Sequence, residues 1–163
     1  MVARRGAPAT ITALLLLSLA APLGLPGQAA IQGTAALGSV YFWSLFRPKS
    51  MMPPMVFLLG VLVDLLGHAP MGVGVLTLLL SHGAALRWRR MLAGRSFLAG
   101  WFGFACAAVA AAGLQWALTS LLTFRLMPPD GGVFQAALGV GLYPVLATLL
   151  GWLHRGLAEP DHA

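Results

Sequence analysis

Residues 60–90 read GVLVDLLGHAPMGVGVLTLLLSHGAALRWRR. One carboxylate, Asp64, stands among aliphatic residues, a Gly/Pro break follows it, and the stretch closes on Arg87, Arg89 and Arg90. A carboxylate at membrane depth costs at least about 2.5 kcal/mol and therefore requires a partner. The break supplies candidates. Gly67 and Pro70 end one helix, while Met71, Gly72 and Val73 open the next, whose first N–H groups have no carbonyl of their own. On the structural reading Asp64 accepts from those amides and ties a helical hairpin together. On the alternative reading it belongs to a proton or ion relay, for which His68 at i+4 is the one ionisable neighbour on the same helical face. The isolation of the carboxylate favours the tie.

Outward from this stretch the composition sets the class. The chain has 163 residues, 59% of them hydrophobic and 9% charged, and a mean hydropathy of +0.85. Soluble domains carry about 25% charged residues, so the chain reads as a polytopic membrane protein. Its formal charge of +6 would suit nucleic acid in a soluble protein. Here the cations gather at the ends of apolar runs, so topology explains them and no nucleic-acid partner is expected. Cys106 is the single cysteine and lies in an apolar run, which excludes an internal disulfide or a thiolate metal site.

The chain opens with Arg4 and Arg5 before an apolar run from Ala7 to Leu25. A cleaved signal peptide ending near Gln28-Ala29-Ala30 fits these features. So does an uncleaved first span, which the immediately following apolar segments favour. A second segment over 31–46 carries Tyr41, Phe42 and Trp43 near its far end, where aromatics suit an interface. Arg47-Pro48-Lys49 forms a short cytoplasmic turn. A third segment starts at Pro53-Pro54, as proline favours a first helical turn, and runs over 53–66. The fourth runs over 71–86, with His82 as a hydrogen-bonded packing residue, and ends in the Arg87 to Arg95 loop. The fifth, 96–124, would be about 43 Å long as one helix. In it Gly103, Ala107 and Ala111 form a small-residue stripe suited to close helix approach, and Gln115 is expected to bond between helices. The loop 125–132 is a turn in which Arg125 and Asp130 are expected to pair. The sixth, 133–153, is expected to kink near Pro144.

These runs predict an all-α polytopic integral membrane protein, a single transmembrane domain of six transmembrane helices with both termini cytoplasmic. The spans are placed at about 7–25, 31–46, 53–66, 71–86, 96–124 and 133–153. Arg4, Arg5, Arg47, Lys49, Arg87, Arg89, Arg90, Arg95 and Arg155 then lie inside and Arg125 alone lies outside. Catalysis needs convergent groups: a nucleophile with its base, paired carboxylates or a metal cluster. None is visible, and the glycines of Gly72 to Gly74 and Gly139 to Gly141 read as packing inside apolar helices. No enzyme activity, cofactor or metal is expected.

Tyr41-Phe-Trp-Ser-Leu-Phe-Arg-Pro48, then Gly60-x-x-x-Asp64-Leu-Leu-Gly-x-x-Pro70-Met-Gly72, then a helix ending Arg87-Trp-Arg-Arg90, resembles the bacterial rod shape-determining protein MreD family. The resemblance implies a non-catalytic, multi-pass scaffold of the bacterial cytoplasmic (inner) membrane. Its implied partners are the bitopic protein MreC and, through it, MreB filaments and the peptidoglycan polymerase and transpeptidase. Gly60, Asp64, Pro70 and Gly72 would then shape the hairpin. The six-helix substrate-binding subunits of vitamin transporters offer a fold analogy and a second functional class. A pocket discriminates the two, since a vitamin binder presents several polar side chains to an outward cavity, and Gln28, Gln32, Gln115 and Gln135 are the amides on offer.

Overall fold

The structure is a computed structural model that describes residues 2–19, 27–67, 70–92, 97–126 and 128–158, with side chains over 9–18, 27–67, 70–91, 97–126 and 128–153. Six helices follow one another: α1 (Val2–Leu19), α2 (Gln28–Phe46), α3 (Pro53–Leu66), α4 (Val73–Leu92), α5 (Phe97–Thr123) and α6 (Asp130–Ala158). The described residues contain no strand. Two helices, Phe97–Thr123 and Asp130–Leu153, are long and apolar enough to cross a membrane.

Local chemistry sets the boundaries. Gly27 sits at φ 84 and hands the chain to α2. At the far end Arg47 precedes Pro48, which disfavours helical backbone at Arg47. Its N–H still donates to Trp43 O at 2.7 Å before the chain turns away. α3 starts with Pro53 and Pro54 in its first turn behind an extended Met52, and the Gly67 N–H closes it on Val63 O. α4 continues past Leu86 through Arg87, Arg89 and Arg90, so the cationic segment expected as a loop is helical as far as Leu92. Arg89 Nε donates to Leu45 O at 3.0 Å, which gives the end of α2 a partner and holds the cations in helical register. α6 begins at Asp130, an acidic residue in the first turn where the helix dipole favours it. Asp130 makes no ion pair with Arg125 among the described residues.

α2 is the hub. Every residue from Thr34 to Leu45 is buried, and the helix touches all five others. Around it neighbours run α1–α3, α3–α4, α4–α5 and α5–α6, while α6 and α1 do not meet among the described residues. This corrects the reading of Tyr41, Phe42 and Trp43 as an interface belt: they are 2%, 5% and 0% exposed. A helix apolar on all sides is stable where other helices cover it completely, and the five outer helices do so here. Tyr41 meets Phe104 edge-on at 5.4 Å and Tyr143 at 5.9 Å, and Phe104 stacks on Tyr143 at 4.1 Å, a knot that joins α2, α5 and α6. The Tyr41 hydroxyl donates to Gly100 O.

Pro144 lies inside α6 and has no N–H to give the Val140 carbonyl four residues earlier. Trp101 Nε1 from α5 donates to that oxygen at 2.9 Å. The carbonyl freed by the proline thus becomes an interhelical bond, and the helix runs on through Ala158.

Candidate functional site

At the start of α4, the helix opens at Val73, so Gly72 occupies the capping position. A capping residue ordinarily uses its own side chain to accept from the second or third helical N–H; glycine has none. Asp64 supplies the oxygens from the previous helix instead. Its Oδ1 accepts from Gly74 N at 2.8 Å, and its Oδ2 accepts from Gly72 N at 2.8 Å and from Val75 N at 3.4 Å. The Val73 N–H goes to Pro70 O, and Leu76 N makes the first bond within the helix, to Gly72 O. Every N–H at this terminus is therefore accounted for, and Asp64, 6% exposed, spends both oxygens on backbone.

Glycines make the approach possible. Gly72 adopts φ +99, where a side chain is strained, in the turn before α4. A Cβ on Gly60 would sit 2.5 Å from Val75 Cα, so α3 and α4 touch backbone to backbone there. A Cβ on Gly74 would fall against Asp64 Oδ1. Gly60, Asp64, Pro70 and Gly72 are thus brought together at one helix junction, with Gly74 and Val75 as members the sequence reading missed. Gly72 and Gly74 serve the turn and the carboxylate, which replaces their reading as general helix packing. The G-x-G directly after the break, eight and ten residues beyond the only apolar-embedded Asp, was the available signal. His68 lies outside the described residues.

A second polar pair is buried between α2 and α4. Ser44 Oγ donates to Val40 O at 2.5 Å and lies 2.6 Å from His82 Nδ1. The hydroxyl has one proton, already given to the carbonyl, so Nδ1 must be the donor to Oγ. Nε2 is then an acceptor, buried and without a partner among the described residues. His82 pins one helix to another, and no acid–base partner faces it.

The small-residue stripe on α5 turns inward. Ala111 is buried, Ala107 packs against the core and Gly103 is half-buried, alongside fully buried Phe104 and Ala108. The close approach it permits is used within the chain. Gln115 makes no hydrogen bond to another described residue. It lines a cavity of about 400 Å³ where α2, α3, α5 and α6 converge, shared with Gln32, Gln135 and Asp64. The interhelical bond expected of it is absent among the described residues because its amide faces that space. Among the described residues no three His, Cys, Asp or Glu side chains gather as a metal site would require.

Comparison with protein-family models, with curated proteins and with solved structures finds no match for this chain. What the site does must be argued from its own geometry.

Proposed function

We propose that this chain is a non-catalytic, six-span scaffold subunit of the bacterial inner membrane, with both termini cytoplasmic. It binds MreC and helps couple MreB filaments to peptidoglycan synthesis. The observation that carries the membrane placement is the outward surface. Leu14 on α1, Leu58 and Leu65 on α3, Leu80 on α4, Phe102 and Val109 on α5, and Val145 on α6 are all at least half exposed. Soluble monomers rarely present apolar surface on every side, whereas lipid accepts it. α2 needs no lipid-facing stripe because it is the hub. Short α3 reaches its neighbours through the Gly60 contact and the Asp64 tie.

The scaffold reading is supported by where the polar groups go. Asp64, His82, Trp101 and Tyr41 each serve a contact between helices, or between a helix and the turn that leads into it. The residues that carry the resemblance to the MreD family, Gly60, Asp64, Pro70 and Gly72, fall at one junction, as a family hallmark with a structural role would. A second reading, a substrate-binding subunit of a small-molecule transporter, is favoured by the glutamine-lined cavity.

Co-expression with tagged MreC, extraction in mild detergent and mass spectrometry of the purified complex test the proposal. Stoichiometric recovery of this chain with MreC is expected. Recovery of the folded, membrane-inserted chain with transporter subunits and without MreC would overturn it.

A further inference from the structure

The glutamine cavity is not closed. A neck of about 200 Å³ shares Gln115, Gly131 and Gln135 with it. The neck in turn shares Ala112, Trp116 and Gly132 with a groove of about 830 Å³ between α5 and α6. Small residues on both helices, Gly113, Ala137 and Gly141 among them, leave that groove open, and its lining is almost wholly apolar. One continuous space therefore runs from an apolar furrow on the outer face of the bundle to a polar chamber inside it.

We infer that this space binds a membrane lipid with an uncharged, hydrogen-bonding head, its acyl chain in the α5–α6 groove and its head among Gln32, Gln115 and Gln135. The inference rests on the membrane placement proposed above and is independent of the scaffold role. Depth supports it. Gln135 lies five residues into α6 and Gly141 eleven, so the groove descends from the helix end by about 16 Å at 1.5 Å per residue, one leaflet of a bilayer whose apolar core is about 30 Å. The polar chamber stands at the end where a headgroup belongs, and the furrow extends towards the midplane.

Charge selects the head. The described lining contains no cation, so a phosphate directly below the headgroup would find no counter-ion. Asp64 is the one charge present, and its oxygens already accept from Gly72, Gly74 and Val75. Primary amides offer both donors and acceptors, which suits hydroxyls. A neutral glycosyl diacylglycerol has this chemistry, whereas phosphatidylglycerol does not. A soluble vitamin would leave the furrow empty.

The test uses the full chain in phosphatidylcholine nanodiscs with a trace of glucosyl diacylglycerol bearing a photoactivatable acyl chain. Saturable labelling confined to the groove, around Val109, Trp116 and Ala137, is expected. Unlabelled glucosyl diacylglycerol should compete, and phosphatidylglycerol and methyl glucoside should not. Replacing Gln115 and Gln135 together by leucine should weaken labelling about tenfold, the loss of one or two net hydrogen bonds. Ala137→Trp, which fills an exposed part of the groove, should abolish it without lowering the Tm. Labelling spread over all outward faces, equal competition by phosphatidylglycerol, or displacement by methyl glucoside would each overturn the inference. Failure of the chain to float with liposomes would instead remove the membrane placement beneath it.

Discussion

Replacing Asp64 by leucine keeps the bulk and removes both acceptors from the start of α4. The Gly74 N–H is deeply placed and bonded at 2.8 Å, so leaving it unpaired costs the full penalty of about 1–3 kcal/mol. The Gly72 N–H, also at 2.8 Å, belongs to an exposed residue and recovers part of its loss from water or headgroups, about 1 kcal/mol remaining. The 3.4 Å contact with Val75 adds little. Together Asp64→Leu should lose about 2–4 kcal/mol. Asparagine is not the neutral replacement that a single acceptor would suggest. Because Gly72 and Gly74 address different oxygens, one of them would face the Asn amide donor, so Asp64→Asn should fall between wild type and leucine. Reversible unfolding in mixed micelles, followed by circular dichroism, measures the series. Leucine within about 0.5 kcal/mol of wild type, the spread of an ordinary surface substitution, would refute the capping role. Asparagine as damaging as leucine to MreC binding, in a protein still inserted and folded, would show that the charge itself acts.

Three further substitutions test the packing. Gly60→Ala forces α3 away from Val75 Cα and should cost about 1–3 kcal/mol in the same unfolding assay, the usual penalty of overpacking. Trp101→Phe leaves the Val140 carbonyl at the proline without its donor and should cost about 1–3 kcal/mol, while Pro144→Ala in that background should restore part of the loss by giving the carbonyl a helical N–H. Ala107→Leu should lower the Tm of the isolated protein in detergent, because the residue packs within the chain; an unchanged Tm with weakened MreC binding would place it at the partner interface instead.

Much of the helical pattern was legible because prolines, glycines and cations stop apolar runs for local reasons. The helix expected over 53–66 occupies Pro53–Leu66, bounded by Pro53-Pro54 and Gly67. The tie at Asp64 was legible too, since a lone carboxylate among aliphatic residues needs a donor and the following break frees several. α2 was misplaced because aromatics near a charged turn look the same whether they meet headgroups or other helices; only the tertiary arrangement buries Tyr41 and Trp43. The helical state of Arg87 to Arg90 was hidden for a similar reason, as positive charge marks the side of a membrane and says nothing of backbone conformation. The glutamine cavity joins residues from α2, α5 and α6 that are far apart in the chain, so no spacing could announce it.

The hairpin turn outside and the arginine-rich end of α4 inside underlie both the assembly with MreC and the lipid site. In a Cys106→Ser background, cysteines replacing Met71, Lys49 and Met91, all exposed, should be probed in spheroplasts with a membrane-impermeant maleimide. Six spans with cytoplasmic termini predict that Met71→Cys is labelled from outside, and that Lys49→Cys and Met91→Cys react only after permeabilisation. Labelling of Met91→Cys in intact spheroplasts, or protection of Met71→Cys there with labelling after permeabilisation, would contradict that placement.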